Sequence, residues 1–540
     1  MVAALLRCQR FSSYAAFALS VYAAIALSVT LPSLHQMRKS AALILVCLTC
    51  LYAFQAPPAR KFTVSPDLQA TLDRIRPNEL CGDLSFLASD LLEGRNTPSR
   101  GLDIAAEYIA AQFRGAGLEP AGDDGYFATA HMVISEPNLE GFQLTMSHGE
   151  SVLTAGAKDV AISATTALDI KEAAIFKLDL SDLAQVEAFK PGDVTGKVVL
   201  LEIKRLANAR IAIPKLRDGK PALAITIDRA GKSTGGAREG LLLDPKERDD
   251  RAPRITLGGA AAASFFDSLP PGSSGALASV HVGAPHEKPV SLRNVIGVLR
   301  GSDAALKNTY VLLTAHYDHV GMLPDGPGDR IYNGANDDGS GTVSVIEVAR
   351  ALSGLKQRPR RSIVFLTFFG EEEGLLGSKY YARHPALPID KTVGQLNLEQ
   401  VGRTDSSEGP QISNSTVTGF DYSTLTGFIQ EAGELTGVKV YKHPRNSDTF
   451  FSQADNLYLA EAGVPAHTLA VSFLFPDYHE VGDEWQKIDY DNMAKVDRMI
   501  ALALVLMANS EEAPHWNEQN PRAAKYVKAW KEHHGTEPRP

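Results

Sequence analysis

Five short segments of the chain carry residue types able to hold metal ions, each placed at the end of a strand-like apolar run. They are His316-Tyr317-Asp318-His319, Asn336-Asp337-Asp338-Gly339-Ser340-Gly341, Glu371-Glu372-Glu373-Gly374, Asn397-Leu398-Glu399 and Tyr478-His479. Ligands of open α/β sheets gather at the carboxyl ends of strands, so residues far apart in sequence can converge there. Two neutral imidazoles and three carboxylates suit two zinc ions that share a bridging carboxylate. Thiolate ligation is not available, because the cysteines form no cluster. Each segment alone has a plainer reading. A single histidine at a strand end can be a hydrogen-bonded structural residue. Asp337-Asp338-Gly339 can be an ordinary turn, and Glu371–Glu373 can be acids favoured at the start of a helix. Their joint occurrence in this order carries the weight.

The elements that must position these residues follow from periodicity. From Asn294 onward, strand-like runs (Val295–Leu299, Tyr310–Ala315, Ile363–Phe369, Val393–Leu398, Ala466–Val471) alternate with helical patterns (Thr342–Leu352, Leu375–Arg383, Tyr422–Leu435, Asp491–Met507). That alternation predicts a three-layer α/β/α core on a mixed, largely parallel sheet. Before it, residues 66–122 read as helical; Ile104, Ala105, Tyr108, Ile109 and Phe113 share one face, and Gly115 and Gly117 stop the helix. Between about 135 and 290, short apolar runs separated by Gly, Pro and Asp turns suggest a small β-rich module. The expected organisation is a leader (1–60), an N-terminal helical part (61–134), a β-rich insert (135–290), the catalytic core (291–512) and a polar tail (513–540).

These motifs resemble those of the co-catalytic di-zinc aminopeptidases of clan MH, relatives of glutamate carboxypeptidase II, bacterial leucyl aminopeptidases and glutaminyl cyclase. The resemblance covers most of the chain after the leader. It extends to Leu87-Ala88-Ser89-Asp90 through Glu93-Gly94-Arg95, to Gly117–Gly122, and to Asn294-Val295-Ile296-Gly297. Asp193-Val194-Thr195-Gly196-Lys197-Val198-Val199-Leu200 resembles the protease-associated module inserted before the core. The resemblance implies that His316 binds a first zinc, that Asp337 bridges both ions, and that Glu372 and His479 bind the second. Glu399 stands where the family usually has Asp and would complete the first site. Glu371 would be the general base. Asp318 would accept the other N–H of the His316 imidazole and fix its tautomer. Tyr478 matches a tyrosine that helps polarise the substrate carbonyl. The peptide after the bridging aspartate is often cis in the family, which singles out Asp337–Asp338.

The chemistry supports this layout independently. Two zinc ions roughly 3.5–4 Å apart polarise a peptide carbonyl and lower the pKa of bound water toward about 7. A carboxylate outside the metal shell must then take the water proton and pass it to the leaving amine. Consecutive Glu371 and Glu372 at a strand end point in different directions, so one can reach metal while the other faces water. Glu373 is expected in the first helical turn, and His319 as a support outside the ligand set. Ala454-Asp455-Asn456 reads equally as a loop supporting the pocket or as a specificity contact.

The implied function is a zinc-dependent exopeptidase, foremost an aminopeptidase, acting on peptides. Carboxypeptidase or cyclase chemistry in the same site is the alternative, and a non-catalytic receptor of the same fold is the alternative of another class. Every ligand position holds a competent residue, which argues against the receptor. Gly231-Lys232-Ser233-Thr234-Gly235 matches the G-x-S-x-G of serine hydrolases, but the Gly-rich sequence after it is a poor helix start for a nucleophile elbow.

The 540 residues carry a net charge of −9, which argues against nucleic acid as a partner. Residues 1–60 hold five basic residues and no acid, so the remainder carries 49 basic and 63 acidic side chains, net −14. From Met37, Arg38 and Lys39 precede an apolar stretch, Ala41 to Phe54, that Gln55–Ala59 breaks. That is the layout of a signal peptide beginning at Met37. The uncharged stretch 11–34 offers a membrane anchor as the alternative. The enzyme is therefore expected to be exported. Of four cysteines only Cys81 lies outside the leader, and it is expected to be a small buried residue.

Overall fold

The computed structural model describes residues 62–534, apart from 165, 204–205, 232–240, 245–251 and 324–325. The leader and Ser233 lie outside the described residues. Four strands run parallel at the centre of the sheet: Tyr310–His316, Ser362–Phe368, Thr392–Leu398 and Ala466–Ala470. In space the order is Ala466–Ala470, Thr392–Leu398, Tyr310–His316, Ser362–Phe368. Every residue of these strands is buried. Burial on both faces is why their sequences read as continuous apolar runs rather than alternating ones. Antiparallel strands flank them, Gly272–Leu299 on one side and Asn414–Val417 on the other, so the sheet is mixed.

Helices cover both faces. Gly341–Ser353 and Tyr490–Asn509 pack on one face with the N-terminal helices Pro77–Leu87 and Arg100–Gly115. Ala105, Ile109 and Phe113 are fully buried there, as their spacing predicts, and the Ser99 hydroxyl caps the helix by accepting from the Leu102 N–H. On the other face Ile296, Leu312, Val364 and Leu366 pack against Tyr381, Leu459, Trp516 and Tyr526. The segment after Ala508 thus docks through Trp516 and Tyr526, with Ala524–His534 helical. Cys81 is half-buried and faces Tyr490 rather than lying in the core. No described helix is long and apolar enough to cross a membrane.

Segment 135–290 is richer in helix than its sequence suggests. Parallel strands Leu168–Asp179, Val198–Glu202, Leu223–Asp228 and Arg254–Gly258 include helical connections, Leu183–Ala188 and Leu206–Gly219, and the helix Ala260–Ser268 follows the last of them. Two long strands, Phe127–His148 and Gly272–Leu299, run through both expected boundaries and join this segment to the core. Near Pro289, which pairs with Val133, Gly272–Leu299 is the edge of a ribbon whose middle strand is Phe127–His148 and whose third strand is Leu241–Leu243. Proline is tolerated where a strand has a free edge, so turn-like residues here hide a strand.

One buried group between helices has a pH consequence. Asp497 on Tyr490–Asn509 is fully buried, faces Ser344 of Gly341–Ser353, and neither carboxylate oxygen makes a hydrogen bond. Burial pushes its carboxyl up from 3.8 to about 7, with Ser344 and Arg498 pulling the other way. The folded state therefore binds a proton that the unfolded state releases. Stability from this group is full below about pH 4 and falls until about pH 7. Asp497→Asn removes that decline. In thermal melts from pH 4 to 8, its advantage over wild type is expected to grow with pH, reaching a few kcal/mol at about pH 7. A constant offset would show that Asp497 is ionised throughout.

Candidate active site

The carboxyl ends of the four parallel strands deliver the predicted residues to one place. His316 ends its strand, held by the Thr342 hydroxyl, which donates to the His316 carbonyl at 2.6 Å. Glu371 and Glu372 follow Ser362–Phe368 in a tight turn, and Glu399 follows Thr392–Leu398 directly. Tyr478 and His479 lie in the loop after Ala466–Ala470. Asp337 sits in the irregular turn Ala335–Ser340 that opens the helix Gly341–Ser353, and the Asp337–Asp338 peptide is cis. The turn at Glu371 continues through Gly374, and the helix begins at Leu376. Glu373 is therefore a turn residue and not in the first helical turn.

Distances centre on Asp337. Its Oδ1 lies 3.5 Å from His316 Nε2 and its Oδ2 3.1 Å from His479 Nε2. Glu372 Oε1 is 3.2 Å from His479 Nε2 and 2.8 Å from His319 Nδ1. Glu371 Oε2 stands 3.9 Å from His316 Nε2. His316, Asp337, Glu371, Glu399 and Tyr478 line one cleft together with Phe450, Phe473 and Leu474. Phe450 and Phe473 stack with centroids 5.0 Å apart. Tyr478, 40% exposed, stacks on His479.

Asp318 is fully buried and does more than face His316. Its carboxylate is 3.5 Å from His316 Nδ1, which lies closer, at 3.2 Å, to the Asp318 backbone carbonyl. The carboxylate accepts from the Glu371 N–H at 3.1 Å and from the Thr97 hydroxyl at 3.1 Å. It therefore ties the first histidine segment to the glutamate turn. Glu399 is placed by a buried amide chain: Gln395 donates to Thr314, Thr314 to Asn397, and Asn397 to Glu399 Oε1 at 3.2 Å. Asp455 is buried as the residue before the short helix Asn456–Glu461, while its neighbour Ala454 lines the cleft.

Three supports hold these residues in place, and only Asn336 stands in a motif visible in the sequence. Asp483 accepts from the N–H groups of Asn336 and Asp337 at 3.0 Å and so orients Asp337. Burial pushes its carboxyl up to about 6, against those two donors. The Asn336 side-chain oxygen accepts from the N–H groups of Gly402 and Arg403 at 2.9 Å, pinning the turn to the loop after Glu399. Arg403, buried, clasps Asp405 with two nitrogens and reaches Asp477 at 2.9 Å, next to Tyr478. Its only hint is an arginine four residues after Glu399.

The electrostatics suit a cation. Burial, then crowding by Glu399 and Glu372, drives the Glu371 carboxyl well above its usual range despite His316. Burial and neighbouring aspartates do the same to Glu399. Hydrogen bonds to Asp337 and Glu372 raise His479 to about 10. So many buried acids share one place either by holding protons or with compensating positive charge, which a metal ion would supply. His319, Asp337, Glu372 and His479 each offer a ligand atom, and these atoms lie within 4.8 Å of one another. His319 Nε2 is buried with no hydrogen-bond partner.

Residues 294–504 match the family model of Peptidase family M28. A probable zinc metalloprotease of Leptosphaeria maculans is 38% identical over 122 residues, 22% of this chain and 27% of that protein. Aminopeptidase YwaD of Bacillus subtilis is 25% identical over 232 residues, 41% of this chain and 46% of the other. The chain thus spans half or less of the length of these relatives. The solved structure of an aminopeptidase from Aneurinibacillus sp. strain AM-1 superposes with a TM-score of 0.52 at 21% identity, covering 83% of this chain and 97% of that one. That likeness is one of fold, and it spans the mixed sheet and its flanking helices. The match to Peptidase family M28 lies over residues 294–504, which carry His316, Asp337, Glu371, Glu372, Glu399 and His479.

Proposed function

We propose that the chain is a zinc-dependent exopeptidase, an aminopeptidase that removes residues from the N-terminal end of peptides. The observation that carries the reading is the convergence of His316, Asp337, Glu371, Glu372, Glu399 and His479 at the carboxyl ends of parallel strands, beside a cleft that His316, Asp337, Glu371 and Glu399 line. The match of residues 294–504 to Peptidase family M28 and the similarity to an aminopeptidase support it.

The donors fit zinc: buried imidazoles and carboxylates, crowded where a metal ion would supply compensating positive charge. His316, Asp337 and Glu399 would hold one ion, and Asp337, Glu372 and His479 a second. When bound, zinc supplies Lewis acidity toward the scissile carbonyl and toward water. Glu371 takes a proton from the attacking water and returns it to the leaving amine. The Tyr478 hydroxyl, kept protonated by burial and by Asp337 and Glu372, donates a hydrogen bond to the carbonyl oxygen as charge develops. Asp318 holds the Glu371 backbone and so sets where that base stands. Phe450, Phe473 and Leu474 would cover an apolar side chain of the terminal residue.

The same proposal assigns residues 135–290 as a protease-associated module and residues 1–60 as an export leader, with membrane attachment through that segment as its alternative. The test combines zinc content with paired substrates. Two zinc ions per chain are expected, with activity lost on chelation. Peptides with a free N-terminus should be cleaved about 100-fold faster in kcat/KM than N-blocked ones. A metal-free chain of full stability would sink the zinc reading. Equal cleavage of blocked and free peptides would sink the aminopeptidase.

A further inference from the structure

Among the ligand-type residues at the site, His319 is one that the mechanism leaves without a task. It lies three residues after His316 and is fully buried. Gly334 makes room for its ring: a Cβ there would stand 2.5 Å from the ring atoms of His319, and the backbone adopts φ +56. The packing thus holds this imidazole tightly against the turn that carries Asp337. The ring stands edge-on to that of His479, with centroids 5.4 Å apart.

The spacing of the polar atoms is informative. His319 Nδ1 to Glu372 Oε1 is 2.8 Å, Glu372 Oε1 to His479 Nε2 is 3.2 Å, and His479 Nε2 to Asp337 Oδ2 is 3.1 Å. Nitrogen and oxygen ligands about 2.0–2.1 Å from a tetrahedral zinc stand about 3.3 Å from one another. Three of the six edges of the His319–Glu372–His479–Asp337 group are therefore close to those of a tetrahedron around one ion, and all four ligand atoms lie within 4.8 Å of one another. His316, by contrast, shares only Asp337 with this group, at 3.5 Å, and opens onto the cleft with Glu371 and Glu399.

We propose that His319 is the fourth protein ligand of the position formed by Asp337, Glu372 and His479. This rests on the zinc reading given above. Four protein ligands close a site, whereas three leave a place for water or substrate. The two positions then differ in kind. The one at His319 is closed and tight, an electrostatic and structural anchor. The one at His316, Asp337 and Glu399 is open and weaker, and is where substrate meets metal. The competing account is that the His319 Nδ1–H only donates to Glu372 and orients it.

Titration of the metal-stripped full-length chain with Zn²⁺ against a competing chelator separates the two ions. Loss of an orienting partner usually weakens a metal by about 10–100-fold, and loss of a ligand by more. His319→Asn keeps an amide donor near Nδ1 but removes the imidazole. It is expected to weaken the tighter ion by more than about 100-fold while leaving the other nearly unchanged. His319→Cys, loaded with Co²⁺, is expected to show a thiolate-to-cobalt charge-transfer band, a direct sign of ligation independent of activity and of the asparagine variant's folding. Wild-type affinity for both ions in His319→Asn, or no such band in His319→Cys, overturns the assignment. A wild-type chain that takes up no Zn²⁺ overturns the zinc reading itself, which is a different failure.

Discussion

Glu371→Gln is expected to retain its zinc and lose turnover by about 10²–10⁴-fold, the span that a positioned acid–base group contributes. Glutamine has nearly the shape of glutamate, so the turn that holds it should survive. Its N–H still reaches Asp318, and its neighbour Glu372 still faces His479 and His319. What disappears is a proton acceptor 3.9 Å from His316, in the cleft and outside the cluster of His319, Asp337, Glu372 and His479. Burial raises the affinity of this carboxyl for a proton, with Glu399 and Glu372 adding to it. A base so tuned can take a proton from water and still surrender it to the leaving amine, a balance that an ordinary exposed carboxylate lacks. The measurement is kcat on a free N-terminal peptide, with zinc per chain determined on the same sample. Turnover within a few-fold of wild type would remove Glu371 from the role of base. Loss of zinc would make it a ligand instead.

How far the sequence foretells this site depends on the distance over which each residue acts. The central strands are legible because burial on both faces makes them continuous apolar runs, and the site is legible because five ligand-bearing segments occur together in one order. His316, Asp337, Glu371, Glu372, Glu399 and His479 are assigned through the family that this order resembles. The supports are not. Asp483 acts on backbone N–H groups 146 and 147 residues away, and Arg403 reaches 74 residues to Asp477. No local pattern encodes a partner at that separation. The ribbon near Pro289 is missed for the opposite reason: its local signal is strong but belongs to turns, and only its place at a free edge makes strand possible. His319 falls between the two cases. Its residue type is visible, but whether it faces Glu372 depends on the packing against Gly334.

Arg95→Met is expected to destabilise the fold by about 3–5 kcal/mol, the usual consequence of removing one side of a buried charged network. The guanidinium is almost fully buried and serves four backbone carbonyls. Its Nε donates to Tyr317 at 2.9 Å, its Nη1 to Leu87 and to Asn333, and its Nη2 to Gly334 at 2.9 Å. These carbonyls belong to the end of an N-terminal helix, the His316–His319 segment and the approach to Asp337. One side chain therefore fastens three parts of the chain on which the site depends. The geometry requires an unusual backbone: Glu93, Gly94 and Arg95 all have positive φ, and a Cβ on Gly94 would lie 2.3 Å from the Gly321 carbonyl oxygen. Burial lowers the Arg95 pKa to about 10, while Asp318, Asp483, Asp338 and Asp337 hold it up, so it remains charged at neutral pH. Methionine fills similar volume but takes the donor from four carbonyls, of which that of Gly334 still accepts from the Gly339 N–H, and leaves those aspartates without a counter-charge. Lysine restores the charge but not the planar fork, so Arg95→Lys should recover only part of the loss. Urea unfolding of the two variants, read with zinc content, checks the account. The methionine variant should unfold at lower urea and bind zinc more weakly than the lysine variant. An unchanged midpoint in Arg95→Met would mean that other donors reach these carbonyls and that the fastening lies elsewhere.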